Sequence, residues 1–181
     1  TCAAQCYIWK DGQWELFYAN PFTSEEKVRL LEALSESLRE TGFDTPPPQL
    51  WGEQIENRDE CQISWSALGQ QAPIEIKTAW DPDRKKRAPL QAGLLARLPG
   101  FSIRVNATTT IDITRQGITK AYGVRKLSEL LAVPISDMLY VGDALFPGGN
   151  DEIVKETGSP TQQVTGPAET AKVIERILTA S

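Results

Sequence analysis

The chain has 181 residues, 40% of them apolar, with five Trp and a net charge of −5; that content supports a core for one domain or a small pair and excludes a disordered chain. No apolar run reaches the length of a membrane span and no signal peptide opens the sequence, so a cytoplasmic protein is expected. It contains no histidine, which excludes His-based triads, and Cys2, Cys6 and Cys61 supply too few ligands for a zinc site.

The first elements expected are two aromatic strands, Cys6–Trp9 and Trp14–Tyr18, joined by the hairpin turn Lys10-Asp11-Gly12-Gln13. Thr23-Ser24-Glu25-Glu26 reads as a capping box, and Val28, Leu31, Leu34 and Leu38 behind it follow a helical period as far as Gly42. Pro46–Pro48 end that element. Two extended stretches follow, Leu50–Glu56 and Gln62–Leu68, separated by Asn57-Arg58-Asp59-Glu60. Asp81-Pro82-Asp83 marks a second helix start, with the helix running to about Leu98 and Pro89 imposing a kink or a later start. The basic run Arg84-Lys85-Lys86-Arg87 lies beside those acids and reads as a solvated helix turn rather than a nucleic-acid patch. Ser102–Val105 and Thr109–Thr114 are again extended. Helix-strand-strand occurs twice, so residues 21–116 are expected to form a duplicated αββ module, an antiparallel sheet with helices on one face.

From Gly117 the pattern changes to βα alternation, the mark of a parallel sheet. Lys120–Leu131 is helical; Met138–Val141 is a short strand; a helix begins near Asp151; Gln162–Val164 is a strand; and a closing helix carries Val173, Ile174, Ile177 and Leu178 on its core face. The expected architecture is α/β: a core from residues 1–20 and 117–181, interrupted by the αββαββ insert. The strand Met138–Val141 stops at Gly142-Asp143, and a second carboxylate, Asp151, follows in a Gly-Gly-Asn-Asp turn. A strand ending in a carboxylate places it at the sheet's carboxyl edge, where open α/β sheets bind ligands. Two such groups suit Mg2+, which takes oxygen ligands and is commonly shared with a substrate phosphate.

The segment Gly142-Asp143-Ala144-Leu145-Phe146-Pro147-Gly148-Gly149-Asn150-Asp151 resembles the fourth motif of haloacid-dehalogenase superfamily enzymes, in the form found in phosphomannomutase-like type IIB members. Gly117-Ile118-Thr119-Lys120 is similar to their third motif, Thr108–Ile113 to the cap strand leading into its lysine, and Ile55–Arg58 to the cap's substrate-facing strand. The resemblance implies a partial Rossmannoid core with an inserted cap, and phosphoryl transfer through an aspartyl-phosphate with Mg2+. It implies Lys120 as the catalytic lysine, Asp143 as a metal ligand, and Asp151 as a ligand or an orienter of metal-bound water. Gly142 and Asn150 belong to the same loop. On the cap, Arg58, Gln70, Thr110 and Asp112 become candidate contacts to a sugar phosphate. For Arg58 and Asp112 a solvated side chain is the competing reading, and the Trp residues read as core or interface rather than as a sugar platform.

The Asp-x-Asp nucleophile motif of that family is absent, as is the Ser/Thr strand of its second motif; Asp81-Pro82-Asp83 has the spacing but stands at a helix start. With Thr1 rather than Met at its beginning, the chain is expected to be the carboxyl-terminal portion of a longer or split protein, inactive alone. Leu68-Gly69 is followed by Gln70 where the mutases carry an arginine, which removes a bidentate phosphate grip and favours a phosphatase over a hexose phosphomutase. The alternative outside the enzymes is a non-catalytic sugar-phosphate or partner-binding module. The missing strand would leave two sheet edges bare, so a missing amino-terminal segment, a second chain or a homodimer is expected to cover them.

Overall fold

The computed structural model describes residues 3–106 and 108–180, so Cys2, read above as an idle thiol, lies outside the described residues. The chain divides into two compact units, Thr1–Ile118 and Thr119–Ser181.

The first unit opens with β1 (Gln5–Lys10) and β2 (Gln13–Ala19), an antiparallel hairpin. Asp11 and Gly12 turn it with φ of 50° and 82°, the paired left-handed conformation that matches strand twist. Trp9 and Trp14 face each other across the pair, edge to face at 5.2 Å. This hairpin falls in the first unit, where Gln5 Nε2 donates to Asp59 and the Phe22 N–H donates to Glu60 O.

Next comes α1 (Ser24–Thr41), started by the expected capping box: the Glu26 N–H donates to Thr23 Oγ1 and the Thr23 N–H to Glu26 Oε2. Then follow β3 (Ile55–Arg58), β4 (Gln62–Ser66), α2 (Ile74–Trp80), α3 (Ala88–Arg97), β5 (Phe101–Asn106) and β6 (Thr110–Arg115). The four strands form one antiparallel sheet in the order β3-β4-β6-β5, so the two αββ repeats join through β4 and β6. Alternation decides the layering. Ile63, Trp65, Ile111 and Ile113 pack with Leu30, Leu34, Leu90 and Leu94 of α1 and α3 in one apolar core. The opposite face carries Ser64, Ser66 and Asp112.

The helix expected over residues 81–98 is in fact α3 alone, starting at Ala88, with Pro89 in its first turn, where a proline costs no hydrogen bond. Asp81 stops α2. Its carboxylate accepts from the Lys86 N–H at 3.0 Å and from Arg87 Nε at 2.7 Å, which folds residues 81–87 into a turn. The solvated reading of the basic run therefore holds for Arg84, Lys85 and Lys86 but not for Arg87. The Arg87 and Asp81 side chains are both 0% exposed, and Arg87 Nη1 donates to the carbonyls of Asn106 and Thr110.

The second unit contains α4 (Lys120–Leu131), β7 (Tyr140–Gly142), β8 (Thr161–Gln163) and α5 (Pro167–Ala180), with a 3-10 turn at Glu152–Thr157. β7 and β8 pair in parallel, as the βα alternation implies. Among the described residues no strand pairs with the other edge of β7.

Candidate active site

Three short elements of the second unit bring the site together. Thr119 caps α4 by accepting from the Tyr122 N–H at 3.1 Å, which puts Lys120 in the first helical turn. β7 ends at Gly142, so Asp143 leaves the strand at its carboxyl edge. The Gly148-Gly149 turn then brings the chain back, and the Asp151 N–H donates to Ala144 O at 3.1 Å. Gly149 is required here, because a Cβ at that position would overlap Ala144 O.

Asp151 lies at the centre and is 1% exposed. Its Oδ1 accepts from Lys120 Nζ in a close ion pair and from the Tyr140 hydroxyl at 2.7 Å; its Oδ2 accepts from the Ala144 N–H at 3.1 Å. Burial alone would raise this carboxyl's pKa, but the bonds from Lys120, Tyr140 and Ala144 outweigh it and hold Asp151 below the usual range, ionised at neutral pH. The same burial, then the hydrogen bond to the Asp151 anion, pushes the Tyr140 phenol well above its ordinary value. β7 passes so close that a Cβ on Gly142 would sit 2.5 Å from Asp151 Oδ2, so this glycine is a condition of the site. Asn150 Oδ1 accepts from Lys120 Nζ at 3.4 Å.

Lys120, Tyr140, Gly142, Asp143 and Asp151 line one cavity of about 500 Å³, closed on another side by Thr170 and Ile174 of α5. Asp143 is exposed there, and its carboxylate accepts no hydrogen bond among the described residues. Its loop is clamped by Gln163 of β8, whose amide donates to Asp143 O at 2.6 Å and accepts from the Leu145 N–H at 2.9 Å. Lys155 Nζ donates to Leu145 O at 2.7 Å. Tyr140, Lys155 and Gln163 escape sequence reading. Tyr140 passes for an apolar strand residue, and Gln163 becomes meaningful only once the β7–β8 register sets it beside Gly142.

The Asp143 carboxylate is open to the cavity, and Oδ2 of Asp151 keeps one lone pair beyond its bond from the Ala144 N–H. An all-oxygen donor set with one or two carboxylates fits Mg2+, which retains several waters. Among the described residues no cluster of three or more acidic, Cys or His groups forms, so these two carboxylates would supply at most part of a coordination sphere.

The cap candidates lie in the first unit. Register aligns Glu56, Ser64, Asp112 and Arg104 in one row across the four strands, on the polar face. Asp112 is 8% exposed and accepts from Ser64 Oγ and Asn106 Nδ2, both at 2.6 Å. Arg58 shares that face and pairs with Glu56 at 2.8 Å. Thr110 lies between Ser66 and Asn106, one step along β6. Gln70 is set apart, in the turn after β4, where its carbonyl accepts from Lys77 Nζ at 2.7 Å. The structure thus gathers Lys120, Gly142, Asp143, Asn150 and Asp151 in one unit, and Arg58, Thr110 and Asp112 on one sheet face of the other.

No family model matches the chain, and no curated protein matches it. Solved structures do. An N-terminally truncated, IMP-bound IMP-nucleotidase from Plasmodium falciparum superposes with a TM-score of 0.59 at 17% identity, over 97% of this chain and 46% of that one. A haloacid dehalogenase-like hydrolase from Bacteroides thetaiotaomicron gives 0.52 at 16% identity, over 90% and 70%. A protein described within a phosphoryl-transfer superfamily gives 0.52 at 15% identity, over 97% and 73%. These likenesses define the fold: a haloacid-dehalogenase-like core with an antiparallel cap. The chain spans about half the length of the nucleotidase it resembles.

Proposed function

We propose that the protein carrying this chain is a Mg2+-dependent phosphohydrolase of the haloacid-dehalogenase type, related to the type IIB phosphomannomutase-like members and acting in the cytoplasm on a sugar phosphate. One observation carries the reading: a lysine ammonium is fixed on a buried carboxylate beside an open Asp143, at the carboxyl end of a parallel strand and in one cavity. Phosphoryl transfer needs a fixed cation and an oxygen site for a metal around the transferring group, and little else from the protein beyond a nucleophile.

In this reading Lys120 holds the phosphoryl oxygens and the nucleophile by charge, and Asp151 with Asn150 aims it. Asp143 and the free lone pair of Asp151 would hold Mg2+, which when bound would supply charge neutralisation for phosphoryl oxygens. The polar cap face, with Arg58, Thr110 and Asp112, selects the sugar. Because both oxygens of Asp112 already accept hydrogen bonds, it would present its two partners, Ser64 and Asn106, as well as its own remaining lone pairs. The nucleophile comes from an amino-terminal segment or second chain that pairs with the open edge of β7 and unites residues 1–20 with 117–181 as one core.

The test uses the longer protein with Mg2+ and, in turn, p-nitrophenyl phosphate and mannose 1-phosphate. Release of inorganic phosphate is expected. Isomerised hexose phosphate without net release would make it a mutase. No turnover, together with an upstream sequence lacking Asp-x-Asp, would make it a binding module.

A further inference from the structure

Asp151 accepts from three donors: Lys120, the Ala144 N–H and a phenol that nothing in the proposed chemistry calls for. Tyr140 is half-buried on a short parallel strand, where a phenylalanine would fill the ring's place. Tyr140 instead spends its hydroxyl on Oδ1 of Asp151, the same oxygen that carries the Lys120 ion pair. The ring is also the neighbour that limits Gly142: a Cβ there would lie 2.9 Å from Tyr140 Cε1. Ring, glycine and carboxylate therefore fix one another.

We propose that Tyr140 is a positioning residue, whose hydroxyl sets the direction of the Asp151 carboxylate and through it the place of the Lys120 ammonium in the cavity. The inference rests on the phosphohydrolase reading for its consequence, but the hydrogen bond itself does not. Without the phenol, Oδ1 would be held by the Lys120 ammonium alone, and the Ala144 N–H on Oδ2 would be the one donor carried on a rigid element. The Tyr140 hydroxyl, on a ring carried by β7, adds a second rigid donor on the other oxygen and so fixes the carboxylate about its χ2 axis. Lys120 sits on a long, flexible stem, and its anchor decides where its charge is delivered. A misplacement of an ångström costs rate rather than affinity.

Tyr140→Phe keeps the ring and removes only the hydroxyl. In the longer protein, with p-nitrophenyl phosphate and saturating Mg2+, it is expected to lower kcat about tenfold while KM changes less than about twofold, since a hydrogen bond to a charged group is being lost. A variant with wild-type kcat overturns the proposal. So does one in which KM rises and kcat does not, because that would place Tyr140 against substrate. If the wild-type protein hydrolyses no phosphate monoester, the phosphohydrolase reading has failed instead. Positioning is then read in the 181-residue chain by 13Cζ-tyrosine NMR. Asp151→Asn is expected to shift the Tyr140 resonance, assigned by its loss in Tyr140→Phe, and to leave the tyrosines of the first unit in place. An unmoved Tyr140 resonance overturns the proposal in that case too.

Discussion

The two units solve the problem of rigidity differently. In the first, a four-stranded sheet lays Ile63, Trp65, Ile111 and Ile113 on two helices that supply Leu30, Leu34, Leu90 and Leu94, all essentially removed from water. At about 25 cal/mol per Å2 of apolar surface, such a layer supplies most of what a small domain needs. Among the described residues the second unit has two strands and buries smaller groups, among them Val124, Val154, Val164 and Val173, while Leu131, Ile174 and Leu178 of its helices stay exposed. Its order comes from aimed polar bonds: Lys120 and Tyr140 on Asp151, and Gln163 and Lys155 on the loop that carries Asp143. Apolar packing tolerates small shifts, whereas hydrogen bonds fix atoms. The scaffold of the first unit is therefore suited to stability and that of the second to placing charge.

The contrast breaks most readily at Arg87, half of a buried ion pair inside the packed unit. Its guanidinium and the Asp81 carboxylate are fully buried as a pair. Arg87→Met would leave that carboxylate unpaired, and urea denaturation should show a loss of about 3–5 kcal/mol. Acid probes the same pair from the other side. Burial raises the Asp81 pKa, but the Arg87 and Lys86 bonds prevail and hold it below its ordinary value. A folded pKa below the unfolded one gives stability that is complete above the unfolded value of about 4 and fades as pH falls through the folded pKa. Wild type should therefore lose stability more steeply below about pH 4 than Asp81→Asn does. Parallel acid limbs would show that the pair does not titrate in this way.

The second break is chemical. In the phosphohydrolase proposed above, Lys120→Met should lower kcat on the order of 10²–10³-fold, the loss that follows removal of one preorganised charge-stabilising donor. Melting of the first unit, followed by its tryptophan signal, should not move. If both units lose stability together, the division of labour drawn above is wrong.

The sequence carries the two designs with unequal clarity. Period-2 and period-3.6 apolar patterns announce the doubled αββ sheet, because a packed layer repeats its apolar residues at the spacing of its elements. The Gly142–Asp151 stretch is legible for a different reason: two glycines are demanded by Ala144 O and Asp151, and two acids by the site. What stays hidden depends on register or on a polar end hidden in an apolar pattern. Arg87 looks like one of four surface cations, and only the fold shows that it reaches the carbonyls of Asn106 and Thr110, 19 and 23 residues away. Gln163 comes to the Asp143 loop only when β7 and β8 are laid side by side, and Tyr140 joins the site only once the chain turns back to set Asp151 beside its hydroxyl. Residues 74–80 form α2 without a strong amphipathic signal, since none of that helix is buried.

A third, smaller break lies in the Gly-Gly turn. Gly149→Ala forces a methyl into Ala144 O, and overpacking of this kind costs about 1–3 kcal/mol. The effect should concentrate on the second unit, seen as faster amide exchange over residues 143–151 with residues 62–66 and 110–115 unchanged. Uniformly faster exchange would mean that the loop strain is shared by the whole chain.

The finest test is Gln163, which touches no charge and lines no part of the cavity, yet holds both sides of the Asp143 turn. Gln163→Ala removes three neutral hydrogen bonds, to Asp143 O, Val164 O and the Leu145 N–H, from an exposed position, so its cost in stability should stay near 1 kcal/mol or below. Gln163→Glu is the sharper variant. It keeps the acceptor for the Leu145 N–H but turns the donor to Asp143 O into a second acceptor, so carbonyl and carboxylate repel. If polar clamps set the site, Glu should perturb the Asp143 and Leu145 amide resonances more than Ala does, although it is nearly isosteric with Gln. Equal perturbation by the two would mean that the side chain merely fills space, and that the loop of the second unit is held by packing after all.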